Sequence, residues 1–124
     1  MSGKYLLDTN VLIRAVQNDN HLAVAHRAII DARRDLVVSI VTFWEVAIKQ
    51  SLGKLHLDGD LAEVVKQRAI PILPVTLAHV ERIRSLPFHH RDPFDRMLIA
   101  QAQVDELIIL TADRHFPSYD VRLA

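Results

Sequence analysis

The stretch Lys4 to Ile13, KYLLDTNVLI, constrains the fold of this chain most. Its first half, Tyr5-Leu6-Leu7, is a short apolar run of the length a buried strand needs. It stops at Asp8-Thr9-Asn10, residue types suited to strand ends and helix N-caps. Val11, Leu12, Ala15 and Val16 then recur at helical spacing, so the order is strand, carboxylate, helix. Two further apolar runs read as buried strands: LVVSIV, Leu36 to Val41, and LIIL, Leu107 to Leu110. Ile72-Leu73 is a shorter one, set between Pro71 and Pro74.

The segments between are helical in pattern. They are His21 to Arg34, closing on the basic pair Arg33-Arg34, and a helix from Thr42 that stops at Gly53. Leu61 to Ala69, Leu77 to Ser85 and Pro93 to Val104 follow. Strands alternating with helices predict an α/β fold of three layers, α/β/α, with a parallel sheet covered on both faces. A length of 124 residues, without internal repeat or linker, predicts a single domain over 1–124.

Composition removes several classes of function. With no cysteine, disulfides and thiolate metal sites are excluded. No apolar run approaches the roughly 20 residues of a membrane span, and no signal-peptide pattern opens the chain, so a cytoplasmic protein is expected. Fifteen basic residues balance fifteen acidic ones, so any contact with a polyanion has to come from a local basic patch.

Asp8 has company. Glu45 lies in the first turn of the helix after LVVSIV, Asp95 in the first turn of the helix begun by Asp92-Pro93, and Asp113 follows strand LIIL with two residues, Thr111 and Ala112, between. In right-handed βαβ units, strand carboxyl ends and the starts of following helices share one edge of the sheet, where ligands bind. The placement of Asp95 rests on its helix start alone, because a helix and a loop precede it. Each acid also has a plainer reading. Asp8 and Asp113 suit turns and caps, Thr42-Phe43-Trp44-Glu45 fits the capping-box pattern, and Glu45 precedes Lys49 in the order favourable for a helical ion pair. Asp92 before Pro93 is a natural N-cap, and Asp95 suits the positive end of the helix dipole. What these readings leave unexplained is the recurrence. Two carboxylates about 5 Å apart at an effective dielectric near 20 repel by roughly 3 kcal/mol. Four that converge need protonation or a cation, and all-oxygen donors suit Mg²⁺ or Mn²⁺ better than zinc.

At these residues the chain resembles the PIN-domain ribonucleases, and among them the VapC-type toxins of bacterial toxin–antitoxin pairs. The resemblance rests on LLDTNVLI, SIVTFWEVAIKQSLGKL, HRDPFDRMLIAQA and LTADRHF, spread from Leu6 to Phe116. It implies a five-stranded parallel sheet, the fifth strand falling around Tyr119 to Arg122. It implies that Asp8, Glu45, Asp95 and Asp113 hold Mg²⁺ or Mn²⁺, with Asn10 and Thr111 as polar neighbours. Asp92 either joins them or only caps its helix. The implied reaction is hydrolysis of an RNA phosphodiester by ion-activated water. The implied partners are an RNA substrate, a small antitoxin protein and a second copy of the chain.

Arg96 and Arg114, with Arg14, Lys49 and Arg91, lie close to the acids in sequence and are candidates to grip phosphate; balancing charge is the alternative. His89-His90 precede their helix instead of sharing a face of it, which argues against them as metal ligands. Trp44 reads as core or interface packing. The apolar positions Val11, Leu12, Val16, Leu22, Val24, Val46, Ile48, Leu52 and Leu55 of the first half suit either the core or a partner-facing surface. The competing functional reading is a non-catalytic binding module of the same fold.

Overall fold

Strand side chains alternate between the two faces of a sheet, and here both faces of the central strands are apolar. The computed structural model describes residues 4–32 and 35–124, so the expected basic helix end at Arg33-Arg34 lies outside the described residues. In chain order the elements are β1 (Tyr5–Leu7), α1 (Thr9–Val16), α2 (Val24–Asp31), β2 (Leu36–Ser39), α3 (Ile40–Ser51), α4 (Leu61–Gln67) and β3 (Ile72–Leu73). Then come α5 (Leu77–Ile83), α6 (Pro93–Asp105), β4 (Ile108–Leu110), a 3₁₀ turn (Phe116–Ser118) and β5 (Arg122–Leu123). The five strands are parallel in the order β3-β2-β1-β4-β5.

The alternation splits the core in two. Leu6, Val37 and Ile109 face one side, where they meet Leu98, Ile99 and Ala102 of α6 together with Phe116 and Tyr119. Leu7, Val38 and Leu110 face the other, against Val11 and Leu12 of α1, Ile30 of α2, Val46 of α3 and Val65 of α4. This is the three-layer arrangement that the strand and helix patterns predict. Most of the apolar positions in the first half of the chain are absorbed by this second core, although Val24 and Leu52 remain exposed. Among the described residues, no helix is long and apolar enough to cross a membrane.

Helix and strand ends elsewhere differ from the sequence expectation by one or two residues, and three boundaries differ for a local reason that the structure shows. LVVSIV does not stay extended to Val41, because the hydroxyl of Ser39 caps α3 by accepting from the Val41 amide at 3.0 Å. The expected capping box at Thr42 is therefore not formed. Thr42 lies inside the helix, buried, with its hydroxyl 3.0 Å from that of Thr9. The helix expected from His21 begins at Val24, since Asp19 accepts the His21 amide and ring in a turn that holds the preceding residues. The last strand begins at Arg122, after the 3₁₀ turn has carried Tyr119 into the core. Asp92, in contrast, caps α6 as read, with Oδ1 accepting from the amides of Phe94 and Asp95.

Leu6 sits in the middle strand with no exposure. Leu6→Ala is expected to cost about 2–5 kcal/mol in urea denaturation, from lost burial and a cavity between β1 and α6. A loss under about 1 kcal/mol would contradict a close-packed layer there.

Candidate metal centre

The parallel sheet sends the chain from β1 into α1, from β2 into α3, and from β4 into the loop at Asp113, all at one edge. Asp8 stands at the N-cap position of α1, yet its side chain makes no capping bond. Its Oδ2 instead accepts from the Thr111 hydroxyl at 2.8 Å, across from β1 to the end of β4. That hydroxyl in turn accepts the Asp113 amide at 3.0 Å, so Thr111 ties two of the acids together. Glu45 is in the second turn of α3, not the first, because the helix starts earlier than the sequence pattern suggests. One of its oxygens takes Lys49 Nζ at 2.7 Å, while the other, Oε1, is buried without a hydrogen-bond partner. Asp95, in the first turn of α6, meets His90 Nε2 at 2.8 Å. Asp113 Oδ1 accepts the His115 amide at 2.8 Å and lies 2.9 Å from His115 Nδ1.

The acids feel one another's charge. Burial pushes the Asp8 carboxyl up to about 6; the Thr111 hydroxyl opposes this, and Asp113 and Glu45 add to it. Burial pushes Asp95 further, to about 8, with Asp8, Asp92, Glu45 and Asp113 all contributing repulsion. For Asp113 burial also acts upward, but the amide and ring of His115, together with His90, outweigh it and hold the carboxyl below its ordinary value. The Glu45 carboxylate, helped by Asp92 and Asp95, holds the Lys49 ammonium above its usual range.

The residues present fit a divalent cation. Glu45 is only 4% exposed, and a buried acceptor left without a donor costs about 1–3 kcal/mol. A cation held among the carboxylates would supply what Oε1 lacks. The acids offer oxygen donors of the kind that Mg²⁺ and Mn²⁺ take. Asp92 has Oδ1 committed to the start of α6 and acts as a cap.

The structure brings into the cluster a histidine that the sequence places only in the neighbourhood of the acids. His90 lies 2.8 Å from Asp95 and 3.7 Å from Asp113, and its ring stacks on His115 with centroids 4.3 Å apart. The loop reaches there because the Tyr119 hydroxyl accepts the amides of both His89 and His90. No local sequence signal announces this; only the pair His89-His90 so near Asp95 hints at it.

Of the candidate substrate residues, Asn10 and Arg114 are exposed beside Asp8 and Asp113, whereas Thr111 is buried on Asp8. Arg96 requires correction. It is 6% exposed, and its guanidinium donates to the carbonyls of Leu86 and Pro87 and to the Tyr119 hydroxyl, beneath the Phe88 ring. It braces the loop from inside. Trp44 is 61% exposed on the helix that carries Glu45, edge-on to Phe94.

The fold and this edge together define a class, the parallel α/β domains that gather carboxylates where their strands end. The chain belongs to the PIN domain family, which it matches over residues 5–122 and whose members are in general nucleases. No curated protein sequence matches it. Among solved structures it is similar to FitAcB from Neisseria gonorrhoeae, with 24% identity, a TM-score of 0.65 and coverage of 96% of this chain and 95% of that one. It is also similar to DNA-bound VapBC from Salmonella typhimurium, at 20% identity and a TM-score of 0.67, covering 98% and 97%. A third is VapBC2 from Rickettsia felis bound to a DNA fragment from their promoter, at 13% identity and a TM-score of 0.66, covering 97% and 96%. At these identities the likeness is one of fold.

Two predictions follow from the site's geometry. In the unfolded chain Asp8 and Asp95 ionise near the ordinary 3.8; folded, they do so near 6 and 8. Between about pH 4 and pH 8 the folded chain therefore binds more protons, and its stability falls as pH rises, by several kcal/mol in order of magnitude. Asp113, held low, acts only below that window. With a chelator present, the melting temperature is expected to drop from pH 5 to pH 8. Asp95→Asn, which keeps an acceptor for His90, is expected to flatten the drop and to melt above the parent at pH 8. A rising profile would mean that the carboxylates are not held together. For Arg96→Ala, the expected cost is about 1–3 kcal/mol, from buried carbonyls left without a donor. Unchanged denaturation by urea would return Arg96 to the surface.

Proposed function

We propose that this chain is a Mg²⁺- or Mn²⁺-dependent endoribonuclease, the toxin of a toxin–antitoxin pair, with Asp8, Glu45, Asp95 and Asp113 as its metal-binding and catalytic residues. The observation that carries this is the unpartnered, buried Oε1 of Glu45 among carboxylates that raise one another's proton affinity. Membership of a largely nucleolytic family supports it, as does the likeness of fold to chains solved as toxin–antitoxin complexes. By the same likeness we take the partner that restrains it to be an antitoxin protein; a homodimer in the cytoplasm is our further expectation, which the family resemblance in the sequence suggests.

A divalent ion bound there supplies acidification of water and neutralisation of phosphate charge. The chain's own residues prepare the place. Thr111 orients Asp8 by donating to Oδ2, and Lys49 fixes Glu45 by its second oxygen, so Oε1 is the one left to face the cluster. His90 Nε2 and Asp95 Oδ2 meet at 2.8 Å, so the imidazole fixes the orientation of the Asp95 carboxyl within the cluster. Asn10 and Arg114 are exposed beside Asp8 and Asp113, and we assign to them contact with the RNA backbone.

Purified protein incubated with total cellular RNA is expected to cut it with millimolar Mg²⁺ and not with EDTA, the cut ends being read by sequencing. Asp8→Asn is expected to lower cleavage at least a hundredfold while leaving the circular dichroism spectrum unchanged. Undiminished cutting by that variant would remove Asp8 from the chemistry. Binding of RNA without cutting, by folded wild type at any divalent ion, would favour the non-catalytic binding module instead.

A further inference from the structure

We propose that Trp44 and Phe88 are nucleobase-stacking positions on either flank of Asp95, taking unpaired bases of a single-stranded RNA whose phosphate enters the carboxylate cluster. Of the chain's one tryptophan, two tyrosines and four phenylalanines, only Trp44 and Phe88 are exposed, at 61% and 81%. A single exposed apolar side chain needs no explanation. The placement of this pair does. Trp44 packs edge-on to Phe94, with ring centroids 5.0 Å apart, and the Arg96 guanidinium lies 4.0 Å from the centre of the Phe88 ring. Phe94 and Arg96 are the two neighbours of Asp95 on α6. Successive residues leave a helix about 100° apart, so these two project to opposite sides of Asp95. The exposed rings stand beyond them, one on each flank.

Each ring is held before anything binds. Phe94 packs against the α6-side core and so fixes Trp44 at the seam of α3 and α6, the helices that carry Glu45 and Asp95. Phe88 sits on the loop whose main chain is fixed by the Tyr119 hydroxyl and by Arg96, two residues before the histidine that reaches Asp95 at 2.8 Å. Arg96 covers one face of the Phe88 ring, and the exposure of that ring leaves the other face to solvent. A ring already oriented loses less freedom when a ligand settles on it. Stacking of a base on an aromatic side chain tolerates any sequence, but it needs the base out of a duplex. A protein partner asks for a contiguous apolar patch, whereas these two rings are parted by the turn of α6 that carries Asp95. The phosphate between the rings rests on the nuclease reading proposed above; stacking on the rings is measured apart from it.

Trp44 is the chain's only tryptophan, so its fluorescence reports the position directly. The probe is a short oligo(A) RNA strand, titrated into full-length Asp8→Asn protein with millimolar Mg²⁺. Beside it run the same strand paired with oligo(U) and a ribose-phosphate strand without bases. The single strand is expected to quench the emission, and the duplex and the abasic strand to leave it unchanged. With the label moved to the strand, Trp44→Ala and Phe88→Leu are each expected to weaken binding about five- to a hundredfold. Trp44→Phe and Phe88→Tyr are expected to retain most of it, and urea denaturation to change little in all four. Leucine keeps the bulk of Phe88, so a loss in that variant is the loss of the ring. Strand binding without quenching, equal quenching by the abasic strand, or affinity unchanged in both Trp44→Ala and Phe88→Leu overturns the proposal and leaves the nuclease reading standing. So does a Trp44→Ala protein whose self-association changes while its RNA affinity does not, because the ring then belongs to a contact between copies. Undiminished cutting by Asp8→Asn counts against the carboxylate reading alone; base-dependent quenching read before turnover still supports the stacking positions.

Discussion

Gathering four carboxylates at one end of a sheet costs free energy, and most of the polar structure here exists to contain that cost. A pair at about 5 Å repels by roughly 3 kcal/mol at an effective dielectric near 20, against total stabilities of about 5–15 kcal/mol for a domain. The offsets are visible one by one. Thr111 donates to Asp8, Lys49 to Glu45, and the His115 amide to Asp113, while Asp95 sits at the positive end of α6 beside His90. None of them reaches Glu45 Oε1. Burial first, and the remaining repulsion after it, push Asp95 up to about 8, and that repulsion is what would give a cation something to gain.

The scaffold supports this arrangement through contacts between elements that are distant in sequence. The hydroxyls of Thr9 and Thr42 meet across 33 residues and fix α1 against α3, which sets Asp8 and Glu45 at a constant relation. On the other core, buried His79 closes a capping box with Thr76 and reaches Asp105, tying α5 to the end of α6. The helix that carries Asp95 is thereby held at both ends, by Asp92 at its start and by His79 near its finish. Precision in the acids comes from these braces as much as from the strands.

The strand-carboxylate-helix order was legible at Asp8, because local apolar runs and a polar stop are sufficient to place it. Asp95 was legible for the same kind of reason, through the Asp92-Pro93 start signal that forms as read. Glu45 was legible as a member of the edge, but its helix began three residues before the pattern suggested. Ser39 and Thr42 are both acceptable caps, and only the burial of Thr42 against Thr9 decides between them. His90 was not legible. Its position depends on Tyr119, whose hydroxyl it meets through the backbone 29 residues away, and no spacing rule in a single chain reports that bond. The fifth strand was placed close to its true position but shifted by the same residue, since Tyr119 turns inward before the chain can extend.

Arg96 shows why nearness in sequence to a candidate metal-binding acid is poor evidence of a role in binding. Adjacent residues on a helix point about 100° apart. If Asp95 faces the sheet edge, the next side chain must leave in another direction, and here that direction is the loop at Leu86 to Phe88. A buried guanidinium needs its donors satisfied, and the loop carbonyls and Tyr119 supply the acceptors. The consequence returns to the centre by a longer route. Arg96 fixes the loop, Tyr119 fixes its far end, and the two together deliver the His90 ring to Asp95. The charge on α6 that the sequence offers as a grip on phosphate is instead spent on placing an imidazole, so its influence on the site passes through the backbone of residues 86–90 and not through contact with anything bound there.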